Sequence, residues 1–168
     1  MPKKVHGELK SYKRKHTKKV SDSHEAPQVK ESLAWSALNA LSSNIAILDD
    51  QGVILDTNLA WNAFAQSNGL DDFCFKGLNY LSFCRDTGDE AAATAVMAAA
   101  GIRDVVSGRK DEFELEYPCH SPTEERWYNM LVTRTKDSES PGILVVHENI
   151  TDRKRAVMKL QESEQKYR

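Results

Sequence analysis

Residues 112–117 alternate strictly between carboxylates and apolar side chains, and this alternation is the strongest constraint on the fold. It predicts a β-strand that places Phe113, Leu115 and Tyr117 on one face and three glutamates on the other. The glutamate face of this strand is therefore expected to meet solvent.

The two later β-type runs, residues 126–135 and 143–146, differ from the first because they are apolar on both faces. A strand with two apolar faces needs cover on both sides of its sheet. We expect the helices that separate the two groups of strands to cover one face. A helix over residues 31–41, or a second subunit, is expected to cover the other.

The remaining patterns predict the order helix, two strands, several helices, three strands, helix. Apolar residues at helical spacing begin near Glu31. Asn58 is a predicted N-cap, and the alanine-rich stretch that follows later contains Gly101 and stops at Gly108. The predicted helices span residues 31–41, 59–68, 78–84 and 89–107, and a predicted hairpin joins residues 44–49 to residues 53–57.

The length of 168 residues allows one domain with attachments. We assign residues 31–150 to the domain and residues 151–168 to a C-terminal helix. Residues 1–30 carry nine basic and three acidic side chains and few large apolar ones, which predicts a disordered tail. Contact of this tail with nucleic acid or anionic lipid is the alternative, but a solvated extension is the commoner use of such a segment.

Membrane and secretory classes do not fit the sequence. The longest apolar-leaning run, residues 91–102, is shorter than the roughly 18 to 20 residues that span a bilayer. The first residues do not lead into an apolar signal segment. Three cysteines without CxxC spacing argue against a disulfide framework or a zinc knuckle. We expect a cytoplasmic protein with reduced thiols.

Four stretches carry a pattern that is informative about family: Ile47-Leu-Asp-Asp-Gln-Gly-Val-Ile-Leu-Asp-Thr-Asn58, Gly77-Leu-Asn-Tyr80, Tyr117-Pro-Cys-His-Ser-Pro122 with Arg126-Trp127, and His147-Glu-Asn-Ile-Thr-Asp-Arg-Lys154. Together with the element order they resemble bacterial PAS domains, and the last resembles the D-I-T-x-R-K ending of that family, with Asn149 in place of the usual acidic residue. The resemblance covers residues 33–168. It implies an α+β PAS fold, a five-stranded antiparallel sheet with helices inserted between strands two and three and with N- and C-terminal flanking helices.

The C-terminal helix is predicted to carry a signal out of the domain. Ile150, Val157, Leu160 and Tyr167 have heptad-compatible spacings of 7, 3 and 7. They predict a coiled-coil seam, and hence a homodimer. Residues 161–168 resemble the linker that opens a further PAS domain in tandem sensors. The resemblance therefore implies a downstream PAS or output domain, such as the histidine kinase of a two-component system or a diguanylate cyclase.

Cofactors known in the family find no support in the matching residues. Light-sensing flavin relatives place a reactive cysteine in a G-x-N-C-R-F-L-Q stretch, where this sequence has Tyr80. Haem-binding relatives commonly use a histidine on the long helix, and residues 89–107 contain none. We therefore expect neither a flavin–cysteine adduct nor haem bound by that histidine.

Few other residues suggest chemistry. Cys119 and His120 are candidates for a redox or metal site, against the commoner interpretation as loop structure. His147 is interpreted as a hydrogen-bonded structural residue of its strand. The sequence shows no paired carboxylates with a nucleophile, no phosphate-binding glycine loop and no hydrolase elbow, so we do not expect catalysis.

Two functions remain open. The first is a sensory input module that binds a small ligand between sheet and helices and relays the change through the C-terminal helix. The second is a ligand-free PAS domain whose filled core serves dimerisation or docking. Binding sites combine apolar walls with a few polar groups. On that basis the predicted ligand-binding residues are Trp61, Phe113, Tyr117, Trp127 and Asn129, with the Asn129 amide as the polar group.

Overall fold

The computed structural model of the chain describes residues 28–71, 73–84, 90–120, 124–135 and 142–167. The predicted disordered tail, residues 1–30, lies almost wholly outside these ranges. The elements in chain order are α1 (Gln28–Asn39), β1 (Asn44–Leu48), β2 (Ile54–Thr57), α2 (Leu59–Ser67), a 3₁₀ helix (Tyr80–Phe83), α3 (Glu90–Val106), β3 (Glu112–Pro118), β4 (Trp127–Arg134), β5 (Ile143–Asn149) and α4 (Thr151–Lys166).

Most element bounds differ from the predicted ones by one to three residues, and α1 begins at Gln28, inside the predicted tail. Two elements differ more in length. Residues 78–84 form only the single 3₁₀ turn, in which the Asn79 side chain accepts a hydrogen bond of 3.0 Å from the Leu81 N–H. The last strand extends three residues beyond its predicted end, because His147, Glu148 and Asn149 continue to pair with β4. Hydrophobicity alone underestimated this strand, since backbone pairing persists where the side chains become polar.

The five strands form one antiparallel sheet in the order β2-β1-β5-β4-β3, and α2, the 3₁₀ helix and α3 lie between β2 and β3 in the chain. The predicted α+β class and this sheet are confirmed. The last strand completes the centre of the sheet by pairing with both β1 and β4. The first and last strands are thus neighbours, and α4 leaves the domain from the middle of the sheet.

The register of β3 and β4 determines which side chains face the helices. Phe113 pairs with Val132, Leu115 with Met130 and Tyr117 with Tyr128. All three side chains from β3 pack on the main hydrophobic cluster, together with buried residues of α2 and α3. We call this side of the sheet the inner face and the opposite side, which carries Glu114, Glu116 and Asn129, the outer face.

Asn58 joins three elements through one buried side chain. Its Oδ1 accepts from the N–H groups of Ile45 (2.9 Å) and Trp61 (3.0 Å), and its Nδ2 donates to the carbonyls of Leu38 and Ser43, both at 2.9 Å. The predicted N-cap is confirmed, since the Trp61 N–H is one of the donors that the start of α2 leaves without a partner inside the helix. The same amide also positions the end of α1 and the first strand.

Gly101 allows α3 to approach the sheet closely. A Cβ added at this position would overlap the ring of Phe113 on β3. The absence of a side chain therefore makes room for an aromatic ring of the inner face. This contact explains why a helix otherwise rich in alanine contains one glycine at its centre, in spite of the cost of glycine in a helix interior.

Candidate functional site

A cavity of about 350 Å³ lies between the inner face of the sheet and the inserted helices. The strand register brings a row of four side chains to it, because Asn44 pairs with His147, His147 with Met130, and Met130 with Leu115. Six aromatic side chains from the described ranges also line it. These are Trp61, Phe64, Tyr80, Phe83, Tyr117 and Tyr128.

His147 holds two tyrosine hydroxyls inside this cavity. Its Nε2 lies 2.7 Å from the hydroxyl of Tyr80, and its Nδ1 lies 2.7 Å from the hydroxyl of Tyr117. We call these three side chains the Tyr–His–Tyr cluster. The sequence-based interpretation of His147 as a hydrogen-bonded strand residue was correct. The missed feature is that both partners are tyrosines, one from β3 and one from the 3₁₀ helix, which only the folded register brings together.

Burial keeps this cluster uncharged. Loss of hydration lowers the pKa of His147 to about 3, so the imidazole is neutral near neutral pH. Burial also raises the pKa of Tyr80 and Tyr117 well above their ordinary value, and it raises the pKa of the neighbouring Cys84 thiol to about 11. The cluster is therefore a set of neutral hydrogen-bonding groups, which suits recognition rather than proton transfer at neutral pH.

Trp61 contributes an unused donor to the same wall. Its side chain is 4% exposed, with ring centroids 5.7 Å from His147 and 5.8 Å from Phe75. Within the described parts of the chain its indole N–H has no hydrogen-bond partner. A buried donor without an acceptor is unfavourable. The sequence predicted that Trp61 lies at the cavity. It did not predict that the indole N–H would lack an acceptor there.

The loop candidates Cys119 and His120 also line the cavity, and backbone contacts hold them to the start of β4. The Cys119 N–H donates to the Arg126 carbonyl (2.9 Å), and His120 Nδ1 accepts from the Arg126 N–H (3.0 Å). The His120 ring stands edge-on to Trp127 at 5.1 Å. These contacts are those of a structured loop, and the described residues contain no group of three metal-ligating side chains.

The prediction that Asn129 and Trp127 lie at the cavity is wrong, because both belong to the outer face. Asn129 pairs with Glu116 in the register, and its Nδ2 donates to Glu114 Oε1 at 2.6 Å. Alternation could not assign a face to β4, since both sides of that strand are apolar. Tyr117 and Trp61 line the cavity as predicted, whereas Phe113 is on the predicted face but packs beside Gly101.

A path of strand pairing and hydrogen bonds leads from the cavity wall to the start of α4. Tyr128 lines the cavity, and in the register it lies directly opposite Asn149 on β5. Asn149 Oδ1 accepts from both the N–H (3.0 Å) and the hydroxyl (2.6 Å) of Thr151. The Trp127 N–H donates to the same hydroxyl at 3.1 Å. Thr151, the first residue of α4, is thus bonded to Asn149 on β5 and to Trp127 on β4.

Ion pairs on the outer face hold the first turn of α4 against β3. Glu116 contacts Arg153 at 2.7 Å and also pairs with Lys154. The hydrogen bond from Lys154, assisted by the charge of Arg153, lowers the pKa of Glu116 below its ordinary value. The helix therefore has two attachments to the sheet, one neutral and one charged.

The predicted seam residues divide into two groups. Ile150 is 3% exposed and belongs to the packing of the domain. Val157, Leu160 and Tyr167 are 48%, 62% and 89% exposed on the free part of the helix. In the described part of the chain no helix is both long and apolar enough to cross a membrane.

A second cavity of about 350 Å³ adjoins β2 and α2. Its wall includes Asp56 and Lys76, whose charged groups are 3.9 Å apart and substantially exposed. Water screens such a pair. The buried donors lie in the first cavity, which we therefore take as the candidate site and call the aromatic cavity.

Comparison with known proteins agrees with this architecture. The family model described as the PAS fold matches residues 38–155. The chain is 36% identical over 123 residues to an uncharacterized 104.1 kDa protein of the hypE 3′ region of Rhodobacter capsulatus. That match covers 71% of this chain and 13% of the relative, so the chain spans only a small part of the length of that protein.

Two solved structures share the fold at low sequence identity. The PAS domain of Bordetella pertussis BvgS is 16% identical, with 82% of this chain and 98% of that chain covered and a TM-score of 0.53. The phage VqmA–DPO complex is 22% identical, with 78% and 59% covered and a TM-score of 0.51. Similarity at this level is evidence for the fold alone.

Proposed function

This chain belongs to the PAS family, and we propose that it is a sensory input module that binds a small molecule in the aromatic cavity and relays the occupancy through α4. Domains of this family share a fold far more than a ligand, so function has to be argued from the site. The aromatic cavity offers what a small-molecule site needs, namely apolar walls, a few convergent polar groups and a volume of about 350 Å³.

The observation that carries the proposal is the path from Tyr128 through Asn149 to Thr151. Tyr128 is the side chain that belongs both to the cavity wall and to this path. A ligand that moves the Tyr128 ring alters the surroundings of its cross-strand neighbour Asn149, and Asn149 accepts the first N–H of the helix. The expected consequence is a change in the order or direction of the first turn of α4.

The partners in this proposal lie outside the described chain. The Rhodobacter relative is several times longer than this chain. We infer that the module acts within a longer protein or beside a partner that supplies the output, which agrees with the linker-like residues 161–168. Under this proposal the chain itself is regulatory rather than catalytic.

Native mass spectrometry of gently purified protein, followed by hydrogen exchange, tests the proposal. We expect a retained small molecule whose removal changes exchange at residues 150–154. Asn149→Ala removes the side chain that bonds to Thr151 and should abolish most of that change while binding persists, because Asn149 is not among the residues of the cavity wall. Asn129→Ala is the matched control, because it removes an amide of the outer face that is bonded to Glu114 and not to α4. Binding that leaves α4 exchange unaltered would refute the relay.

The ligand-free dimerisation module is the second candidate, and the exposed seam of α4 favours it. A helix of this length forms only a marginal coiled coil alone, so we expect weak association that strengthens in a longer protein. Leu160→Asp should weaken this association severalfold in sedimentation equilibrium. The adjacent change Gln161→Asp is the control for added charge. Equal association of wild type and Leu160→Asp would show that the seam is not an interface.

A further inference from the structure

We infer that the aromatic cavity selects small, flat, uncharged ring compounds that carry a hydrogen-bond acceptor, such as a carbonyl oxygen, directed at Trp61 and the Tyr–His–Tyr cluster. The inference rests on the proposed ligand-binding function and adds the chemical class of the ligand. Three features of the wall point to this class: the hydrogen-bonding groups that lack partners, the charge of those groups and the shape of the wall.

Trp61 is the first reason to expect a hydrogen-bond acceptor on the ligand. The side chain is 4% exposed and lines the cavity, and its indole N–H finds no acceptor within the described ranges. An indole nitrogen can only donate, so no rearrangement of its own protons resolves the deficit. An acceptor atom of a bound molecule does resolve it.

The protons of the Tyr–His–Tyr cluster are the second reason to expect an acceptor on the ligand. Two phenols and one neutral imidazole carry three N–H or O–H protons, and the two bonds of 2.7 Å use two of them. In either tautomer of His147, one ring nitrogen accepts from a tyrosine and the other donates to a tyrosine. The tyrosine that receives the imidazole proton keeps its own O–H proton to donate elsewhere. The cluster therefore keeps one O–H donor beyond its own two hydrogen bonds.

The charge of the wall indicates that the ligand is uncharged. The tyrosines and His147 are neutral, and among the residues that the structure describes none of the side chains that line the cavity is a carboxylate. The charged Arg126 contacts a different part of the wall, where its Nε donates to the Cys119 carbonyl at 3.2 Å and its guanidinium carbon lies 5.9 Å from the Phe64 ring. A charged ligand group next to Trp61 would be buried without an opposite charge, which is costly.

The shape of the wall favours a flat ring. The ring centroid of Trp61 lies 6.1 Å from that of Tyr80 and 5.7 Å from that of His147, and Tyr117 stacks on Tyr128 at 6.0 Å. Aromatic pairs of this kind prefer offset-stacked or edge-on neighbours. A single substituted ring can adopt both arrangements in a cavity of about 350 Å³.

Acetophenone and cumene form a matched pair of probes, because both are flat rings with a three-atom substituent and only acetophenone has an acceptor. Binding is followed in ¹H–¹⁵N spectra of the full chain, in which Trp35, Trp61 and Trp127 give three indole signals. Trp61→Phe assigns the relevant signal by its loss. We expect acetophenone to move the Trp61 indole proton downfield and to bind at least about fivefold more tightly than cumene, the effect of one hydrogen bond.

Trp61→Phe also tests the contact. It should weaken acetophenone binding about fivefold more than cumene binding, since the smaller ring alters packing against both probes whereas the lost N–H affects only acetophenone. Affinities in this variant are read from the methyl signal of Met130, which lines the same cavity. Trp127→Phe is the matched control on the outer face and should leave the affinity for both probes unchanged.

Three results would overturn the inference, and one of them also removes its premise. Equal binding of acetophenone and cumene, with no loss in Trp61→Phe, would keep the cavity as a ligand site but refute the acceptor requirement. Tighter binding of benzoate than of benzamide would refute the uncharged class. If none of the four probes shifts the Met130 methyl signal, the ligand-binding function itself fails together with the inference.

Discussion

The inner and outer sides of β4 carry similar residue types in very different surroundings. On the inner face Tyr128, Met130 and Val132 are 6%, 2% and 0% exposed. Trp127, Asn129 and Leu131 on the outer face are only half-buried. The alternation of the strand is the same for both sets, so the difference arises from register and from the helices that cover one side. Burial, and not residue type, determines which side of this strand forms a site.

The polar groups of the two faces differ in the same way. Inside, His147 and two tyrosines form a neutral cluster removed from water. Outside, Glu116 pairs with Arg153 and Lys154 in contact with water, which screens their attraction. We therefore expect changes on the inner face to alter stability and binding strongly, and changes on the outer face to act weakly and in a salt-dependent way.

Neighbouring truncations on β4 should show the largest contrast. Met130→Ala leaves a hole against the core and should lower the free energy of unfolding by about 2 to 5 kcal/mol. Leu131→Ala removes a half-buried side chain and should cost about 1 kcal/mol. Urea denaturation with an unchanged m-value measures both. Equal losses would mean that the outer face is covered as fully as the inner one.

The pH dependence of stability should come next in size. His147 is neutral in the folded protein down to a pKa of about 3, whereas in the unfolded chain it takes up a proton near its ordinary value of 6.5. Below about pH 6.5 the unfolded state therefore binds more protons, and stability falls as pH falls. From pH 6.5 to 5 this loss amounts to about 2 kcal/mol from this residue.

His147→Gln isolates the contribution of this imidazole, because glutamine can donate and accept but does not titrate in this range. The difference in unfolding free energy between wild type and variant should shrink steadily as pH is lowered from 6.5 to 5. His120→Gln should retain the wild-type dependence, since it leaves His147 in place. Parallel curves for wild type and His147→Gln would contradict the burial of a neutral imidazole.

Glu116→Gln on the outer face should have the smallest effect. The variant loses two exposed ion pairs to α4, so we expect a decrease in stability smaller than either change on the inner face. Raising the salt concentration should remove most of this difference, because the pairs are accessible to ions. A loss that persists in 1 M salt would indicate that these contacts are shielded from solvent.

The sequence was sufficient for the elements that depend on local patterns. The alternation of residues 112–117 predicted both faces of β3, and Asn58 predicted the start of α2. The five strands and their order along the chain followed from the same kind of evidence. These features depend on residues close together in the chain, whose side chains alternate or cap within one element.

The polar part of the site required information from distant residues. His147 meets tyrosines 67 and 30 residues away, and no local pattern predicts that encounter. The face of β4 depended on its register with β3, since both of its sides are apolar, and Asn129 was assigned to the wrong side for that reason. A single fact, the pairing of Tyr117 with Tyr128, would have corrected the prediction.

The buried Asn58 amide has a consequence for how the domain opens locally. The N–H groups of Ile45 and Trp61, which belong to a strand and a helix, share one acceptor atom. Neither can be released by displacement of that side chain without the other, so the two amides are part of one cooperative unit in hydrogen exchange. The start of β1 and the start of α2 therefore lose their order together, and Trp61 in the cavity wall shares the local stability of the Asn58 cap.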